Sequence, residues 1–331
     1  MRVFPNGIGF LLGLLLTFFG AWEWPNGALW LNTFFSHSVS QFAVVLVFLI
    51  QGWNLNATRI PPVIKDYRNL LLVQGAIFLG PLFFVLFLHS NHFLPTEWQD
   101  GFIFLAVLPT TISSCVVYTS MSNGDSDLAL GHATLSNFLA ILWVPLACSI
   151  LIVTPNVGVL NEWFAAGKYI LPQLIMFVLL PCFVGWLGRK FFFGNEESRF
   201  DEHLKRITFA CILFLAYLSL SKSILHQGEV DFLNSIIFLF PSLFVFLLFH
   251  LFLSGCGSLI FSKSPRVRVA KFFCISQKSL AMGLPLAGIL FAGETELEMR
   301  IICPLILYHF IQLVVGACFI SPLKVWVRRT C

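Results

Sequence analysis

The sequence predicts an all-α polytopic membrane protein with ten transmembrane helices. Its 331 residues are 58% hydrophobic and only 11% charged, whereas a soluble domain is about 25% charged. This composition disfavours a soluble enzyme, a disordered chain and a nucleic-acid-binding protein, because the net charge is only +4 and the basic residues are dispersed. Two further observations support the prediction. The chain contains ten apolar runs, and its Lys and Arg are unevenly distributed among the segments that connect these runs.

The apolar runs have lengths that suit a bilayer, whose hydrocarbon core of about 30 Å requires roughly 20 helical residues. Runs bounded by charge, Gly or Pro give the ten spans 7–24, 39–53, 70–88, 102–121, 128–153, 170–187, 207–225, 232–261, 269–291 and 301–319. The second span is short. The eighth is long enough either to tilt or to end early near residues 254–257.

Positive charge is concentrated on one side of the predicted membrane. With the N-terminus in the cytoplasm, sixteen of the 20 Lys and Arg fall on cytoplasmic segments. Lys168, Lys222 and Arg300 fall on outer segments, and Lys278 lies inside the ninth span. Because cytoplasmic loops carry such an excess, we predict that both termini are cytoplasmic. A bacterial inner membrane or a plasma membrane is favoured over an organelle.

Ten helices divide into two groups of five, residues 1–160 and 161–331. An odd number of helices per half inverts the second half relative to the first, and inverted repeats with broken helices recur in secondary transporters. Each half contains one candidate break, in the fourth and ninth spans. Their polar residues are Thr110, Thr111, Ser113 and Ser114 in the fourth span and Ser276, Gln277, Lys278 and Ser279 in the ninth. We therefore predict that helices four and nine are broken and cross.

Lys278 is the strongest single indication of function. A lysine at mid-membrane costs about 3 kcal/mol on insertion scales, and ionisable residues at that depth usually serve a function. Two alternatives stay open. The hydroxyl residues of the fourth span could be helix–helix contacts, and Lys278 could belong to a structural ion pair.

At these residues the sequence resembles the bile acid:sodium symporter family, and more closely its SBF-like branch, which includes the orphan member-seven group of solute carrier family ten. The matching stretches are LVQ at 72–74, LAVLPTTISS at 105–114, SQKSLAMGLP at 276–285 and PLILYH at 304–309. The resemblance runs through essentially the whole chain. It implies a panel and a core subdomain in one membrane unit, crossing helices four and nine, and alternating access for an amphipathic organic anion, driven by sodium in the better-understood members.

The resemblance also implies which positions bind solute or ion. The family's two glutamines match Gln74 and Gln277, and its Ser-Asn pair on helix four matches Ser114 and Cys115, where the Asn is missing. Two ligands on helix five fall on His132 and Ser136. Secondary candidates are Asn137, His309 and Gln312.

Three of these positions have a second interpretation from the sequence. His132 could instead lie in water at the cytoplasmic end of its helix, near Asp125 and Asp127. His309 and Gln312 share a helix face, and hydrogen bonds between helices would explain both of them equally well.

The departures from the family pattern change the expected coupling. The family's acidic ligand falls on Phe273, and the Asn after its ninth-helix Gln is Lys278. Lys278 is either a permanent cation at a former sodium position or a group that exchanges a proton in each cycle. We predict Na⁺-independent or proton-linked transport of an organic, anionic solute, with H⁺ or Na⁺ as the candidate coupling ions.

A non-transporting membrane regulatory protein is the alternative function. An intramembrane enzyme is disfavoured, because the sequence shows no nucleophile–base pair and its nine Cys contain no C-x-x-C pair. We therefore expect no catalytic residues, no metal site and no cofactor; the expected partners are the lipid bilayer and a small organic anion, and not nucleic acid.

Overall fold

A computed structural model describes residues 4–34, 38–54, 60–153, 172–192, 199–262, 264–291 and 293–330. Within these ranges all regular structure is helical and no strand occurs. Four cations that contributed to the predicted orientation lie outside the described residues, namely Arg2, Arg59, Lys168 and Lys263. The first two residues of the predicted sixth span, 170–171, also lie outside them.

The helices are numbered in chain order. They are α1 (Phe4–Glu23), α2 (Asn26–Phe34), α3 (Ser38–Asn54), α4 (Ile60–Lys65), α5 (Tyr67–Ser90), α6 (Gln99–Val107), α7 (Ile112–Met121), α8 (Ser126–Cys148), α9 (Leu180–Phe192), α10 (Arg199–Gln227), α11 (Glu229–Leu259), α12 (Pro265–Ser276), α13 (Leu280–Leu290) and α14 (Thr295–Thr330). Wider π-helical turns extend α8 over Ser149–Val153 and precede α9 over Ile175–Leu179.

Seven helical stretches in the described part of the chain are long and apolar enough to cross a membrane. They are Tyr67–Ser90, Ser126–Ile152, Pro172–Phe191, Asp201–His226, Phe232–Leu259, Pro265–Leu290 and Glu296–Thr330. The bent pair Thr96–Val107 and Ile112–Met121 gives an eighth, while Leu12–Glu23 and Val39–Asn54 are apolar but shorter. The all-helical, multi-pass prediction is therefore confirmed. The count of ten spans and their arrangement as inverted repeats stay predictions.

Both predicted helix breaks are present. α6 ends at Val107 and α7 begins at Ile112, with a bend of 62° between them. Leu108 is extended, with φ −70° and ψ 151°, because the ring of Pro109 disfavours a helical residue before it. α12 ends at Ser276, and Gln277 is again extended, with φ −109° and ψ 142°.

The eighth predicted span does not end early. α11 continues through the Ser254–Ser258 stretch to Leu259. Ser254 donates from Oγ to the carbonyl of His250, and Ser258 donates to that of Gly255. In a bilayer the backbone must satisfy its own hydrogen bonds, so a helix tolerates glycines that would favour a turn in water.

The chain forms two compact units, and each takes segments from both halves of the sequence. The first unit is Met1–Asn56, Pro145–Ile237 and Gly283–Cys303, and the second is Ala57–Val144, Phe238–Met282 and Pro304–Cys331. The predicted repeat boundary near residue 160 is thus not a boundary between compact units. A repeat boundary and a packing boundary need not coincide, and the repeat itself stays a prediction.

In the first unit, two glycines allow α3 and α9 to pack at close range. A Cβ on Gly52 would lie 1.9 Å from the carbonyl oxygen of Cys182, and one on Gly185 would lie 1.9 Å from that of Leu49. Such small-residue contacts are typical of helices packed in membranes. Next to them, Trp53 donates from Nε1 to Asp201 at 2.9 Å.

In the second unit, a polar cluster fixes the start of α5 against α12. Asp66 caps α5 by accepting from the backbone N–H of Asn69, whose side-chain amide also donates to it at 2.6 Å. This side-chain hydrogen bond holds the pKa of Asp66 below its usual value. Lys271 of α12 donates to Asn69 Oδ1 at 2.7 Å and to the carbonyl of Ile260 at the end of α11. A cation at a helix C-terminus is favourable because the carbonyls there are negative.

Candidate functional site

The two helix breaks meet inside the second unit. The backbone N–H of Ser279 donates to the carbonyl of Pro109 at 2.9 Å. Each break also starts the following helix with a hydroxyl cap. Thr111 Oγ1 accepts from the N–H of Ser114 at 3.1 Å, and Ser279 Oγ accepts from that of Met282 at 3.2 Å. A capping hydroxyl satisfies one of the N–H groups that a helix start leaves without a partner.

Lys278 lies where the two breaks meet, a place called the crossing from here on, and is fully buried. Its Nζ donates to three carbonyl oxygens: that of Ile77 on α5 at 2.6 Å, that of Ala106 at 2.7 Å and that of Leu108 at 2.9 Å. No ion pair in the described part of the chain includes Lys278. The structural ion pair considered from the sequence is therefore not present among these residues.

The sequence explains why these carbonyls accept from a side chain. In an uninterrupted α5, the carbonyl of Ile77 would accept from residue 81, but Pro81 has no N–H. Ala106 and Leu108 lie where α6 ends, so the helix no longer supplies donors to them. The negative end of α6 thus faces the ammonium group.

Three hydrogen-bond acceptors surround Nζ of Lys278. A protonated lysine has three N–H donors, while a neutral amine has two. Three carbonyl oxygens within 2.9 Å of Nζ match the protonated form. Because each N–H then has an acceptor, the buried ammonium regains in hydrogen bonds part of what it loses in hydration.

Gln312 of α14 holds the backbone of Lys278 through two hydrogen bonds. Its Oε1 accepts from the Lys278 N–H at 2.7 Å, and its Nε2 donates to the Lys278 carbonyl at 2.6 Å. Nδ1 of His309 lies 2.7 Å from the same Nε2 and 3.3 Å from the Lys278 carbonyl oxygen, so it accepts from Gln312 in one tautomer and donates to that carbonyl in the other. The structure therefore brings two secondary candidates, His309 and Gln312, to the site.

Gln277 joins the two breaks through its side chain. Ser114 donates from Oγ to Gln277 Oε1 at 2.8 Å, and the Ser114 and Thr111 hydroxyls also bond to each other. Gly316 of α14 makes room for this contact. A Cβ there would lie 2.8 Å from Gln277 Nε2 and 2.8 Å from the ring of Tyr118.

α8 supports the first break. Asn137 donates from Nδ2 to the carbonyl of Thr110 at 2.8 Å and to its own helix at the carbonyl of Ala133. Ser136 also donates from Oγ to the carbonyl of Ala133, at 2.9 Å. On the neighbouring helix α5, Gln74 donates to the carbonyl of His132 at 3.2 Å.

Several buried polar atoms around α5 and α8 have no hydrogen-bond partner among the described residues. They include Gln74 Oε1 on α5, both ring nitrogens of His132, Thr134 Oγ1 and Trp143 Nε1 on α8, and Thr110 Oγ1 in the first break. His132 is only 1% exposed, which excludes the interpretation that it lies in water. Leaving a buried polar group without a hydrogen-bond partner costs free energy. These atoms are therefore suited to form hydrogen bonds with a molecule that enters the site.

Other predicted site residues differ in how they face the crossing. Ser113 is exposed, although it lies next to Ser114, because consecutive helix residues point in different directions. Ser276 is buried at the end of α12. Cys115 contacts Cys274, with 3.4 Å between their sulfur atoms.

Phe273, which the resemblance matches to the family's acidic ligand, packs against the ring of Tyr118, with 5.6 Å between the ring centroids. It offers no oxygen to a cation. In the described part of the chain there is also no group of three or more His, Cys, Asp and Glu that could hold a metal ion.

Two parts of the site were not predicted from the sequence. His250 of α11 is fully buried, and its Nδ1 is 2.7 Å from the Tyr308 hydroxyl. An isolated histidine in an apolar run was the only signal for it. The role of Ile77 depends on Pro81, a proline inside a predicted span, which does indicate a free carbonyl four residues earlier.

Comparison with known proteins is consistent with this geometry. Residues 9–325 match the SBF-like CPA transporter family. The chain is 28% identical over 290 residues to a protein of Escherichia coli (strain K12) named "Putative symporter YfeH", covering 86% of this chain and 83% of that protein. It is 25% identical to sodium/bile acid cotransporter 7 of Xenopus tropicalis over 300 residues, covering 88% and 83%. It is also 25% identical to sodium/bile acid cotransporter 7 of Mus musculus over 301 residues, covering 88% and 84%.

Proposed function

The chain belongs to the SBF-like CPA transporter family, and on that premise we propose that it moves an organic, anionic solute by alternating access without requiring Na⁺. The family is one of membrane transporters and not of enzymes, and the chain is an integral, multi-pass membrane protein. The observation that carries the proposal is the Lys278 ammonium, held by three carbonyls where the two breaks meet.

The electrostatics of the crossing favour an anion. The site contains one ammonium group, and no ion pair among the described residues neutralises it. The starts of α7 and α13, capped by Thr111 and Ser279, add the positive ends of two half-helices. Transporters with broken helices direct such ends at the acidic groups of their solutes.

The hydrogen bonding of Lys278 favours a fixed cation over a proton carrier. Removal of a proton would leave one of three buried carbonyls without its donor, at a cost of about 1–3 kcal/mol. Phe273 removes the carboxylate that a sodium site would use. We therefore propose that the ammonium takes the place of a coupling cation, with proton coupling through Lys278 as the second candidate.

The arrangement of the spans is part of the proposal. Ten spans in two inverted repeats, 1–160 and 161–331, would relate the break at 108–111 to that at 277–279. The matching hydroxyl caps support this relation. Likewise, the two compact units support a panel and a core subdomain.

The orientation, with both termini cytoplasmic in a bacterial inner membrane or plasma membrane, rests on the distribution of Lys and Arg. A reporter fused after Cys331 should read as cytoplasmic and one inserted between Pro95 and Asp100 as external. An external C-terminus would contradict the ten-span arrangement.

The test of function is uptake by proteoliposomes of a mixture of amphipathic organic anions that includes taurocholate, read by mass spectrometry. Uptake should persist when Na⁺ is replaced by K⁺ or choline, and it should vanish with Lys278→Gln. A step in pH then distinguishes the two roles of Lys278, because a fixed cation gives no accumulation driven by the pH gradient. A strict, saturable requirement for Na⁺ would overturn the proposal.

A membrane regulatory protein with a transporter fold is the alternative. It would move none of these anions down any gradient, and Lys278→Gln would change only its stability. The same vesicles therefore separate the two functions.

A further inference from the structure

We propose that a cavity formed by α7, α12 and α14, away from the helix crossing, binds a phosphate-bearing anion through Arg266 and Arg328. The cavity has a volume of about 600 Å³ and lies entirely within the second unit. It is lined by Asn123, Gly124, Arg266, Val327 and Arg328. Nothing in the proposed transport mechanism uses these residues.

The backbone around the cavity is held in place by specific contacts. Asn123 lies in the turn after α7 with a positive φ of 57°, and Gly124 follows it. A Cβ on Gly124 would lie 2.7 Å from side-chain carbons of Thr119 and Val269, so any larger residue would have to displace these side chains. The N–H of Asp125 then donates to the carbonyl of Arg266 at 3.1 Å.

Both guanidinium groups are available to a ligand. Arg266 and Arg328 are exposed, and neither forms an ion pair or side-chain hydrogen bond with any other described residue. In contrast, the neighbouring Arg268 donates from Nε to the carbonyl of Ser262 at 2.8 Å. Asp125, which follows the cavity's Gly124, forms no ion pair with either arginine, and its Oδ1 accepts from the N–H of Leu128 at the start of α8.

The chemistry of the lining indicates the ligand. A guanidinium group binds phosphate oxygens through a pair of parallel hydrogen bonds. Two guanidinium groups together match a phosphate better than they match a single carboxylate. Arg266 is the second residue of α12, so the positive end of that helix adds to the field. Val327, which is buried, is the apolar side chain among the lining residues.

The volume exceeds what a bare phosphate needs, because ligand cavities of about 300–1,000 Å³ hold whole organic molecules. The ligand is therefore a phosphate carried on a larger group, either a lipid headgroup or a soluble phosphate ester. Basic cavities at the ends of membrane helices suit anionic headgroups. The bound anion would join the ends of α7, α12 and α14, three helices that also meet at the crossing.

The experiment compares purified wild-type protein with the double variant Arg266→Gln/Arg328→Gln and with Arg329→Gln. Arg329 is the matched control, since it is exposed at the same helix end and does not line the cavity. Each protein is titrated with phosphatidylglycerol, with phosphatidylcholine and with glycerol 3-phosphate. Native mass spectrometry reads the bound molecules, and the melting temperature provides a second measurement.

We expect one of the two phosphate-bearing anions, phosphatidylglycerol or glycerol 3-phosphate, to bind. Wild type and Arg329→Gln should bind it with the same affinity. The double variant should bind roughly tenfold to a hundredfold more weakly, as for the loss of charged hydrogen bonds. Binding of phosphatidylglycerol alone identifies a lipid, and binding of glycerol 3-phosphate identifies a soluble ester. Equal binding by all three proteins, or no binding by wild type, overturns the proposal.

Because both arginines are exposed, the double variant should fold normally. Its elution in gel filtration and its melting temperature without added anion provide the check. If it fails to fold, the single variants Arg266→Gln and Arg328→Gln are titrated in the same way, and each should weaken binding.

Discussion

The two breaks at the helix crossing share their geometry and differ in their chemistry. Each ends one helix, continues in an extended conformation, and starts the next helix with a hydroxyl cap, Thr111 or Ser279. The first break contains Pro109, which has no N–H, and its backbone offers carbonyl oxygens. The second offers donors, namely the Lys278 ammonium and the Ser279 N–H.

This difference shows how unwound backbone persists inside a membrane protein. A break leaves carbonyls and N–H groups without helical partners, and the bilayer supplies no water to replace them. At this crossing the Leu108 and Pro109 carbonyls of the first break accept from donors of the second. Other groups have partners on neighbouring helices: the Thr110 carbonyl accepts from Asn137, and the Lys278 backbone bonds to Gln312. Because neither break satisfies all of its own groups alone, the two are expected to form and fail together.

The largest effect is expected from Lys278→Met, which removes the three donors and keeps a long apolar side chain. The carbonyls of Ile77, Ala106 and Leu108 then lose their partner. Anion uptake should fall to the background of empty vesicles, and the melting temperature should fall as well. Lys205→Met, on an exposed position of α10, is the control and should leave both unchanged. Normal uptake by Lys278→Met would show that the ammonium is dispensable.

A smaller effect is expected from Gln312→Met, which preserves side-chain volume but removes both hydrogen bonds to the backbone of Lys278. Two buried backbone groups are left without this partner, at about 1–3 kcal/mol each. The variant should unfold at lower denaturant concentration, and the pairing of the two breaks should weaken. Unchanged stability would contradict the role assigned to these two hydrogen bonds.

The two caps should contribute similar amounts if the breaks are equivalent. Thr111→Val and Ser279→Ala each remove a hydroxyl that accepts from the first turn of the next helix. Loss of such a cap costs about 1 kcal/mol. Denaturant unfolding of the two variants and of their combination measures this. A combined loss different from the sum of the two would show that the breaks are energetically coupled.

The smallest effects separate two adjacent serines. Ser114→Ala removes the bond to Gln277 that joins the breaks and should cost about 1 kcal/mol and part of the uptake rate. Ser113→Ala changes an exposed side chain and should stay within about 0.5 kcal/mol of wild type. The same substitution at neighbouring positions makes each the control for the other. Equal losses would contradict the assignment of Ser114 to the crossing.

The sequence by itself determined the class of protein and the place of its two breaks. Hydropathy predicts the spans because a bilayer admits only helices whose side chains are mostly apolar. Pro109 predicts the first break through the sterics of the residue before it. A lysine inside an apolar span predicts the second, since its cost requires nearby polar groups.

Only the tertiary structure decided which groups meet there. The spacing of Ser113 and Ser114 does not tell which of them faces Gln277, because that depends on the rotation of α7 about its axis. Similarly, the carbonyl that Pro81 frees at Ile77 becomes a lysine ligand only because α5 lies beside the crossing, 201 residues away along the chain. Hydrogen bonds between distant segments depend on how the helices pack. Local patterns in a single sequence do not encode that packing.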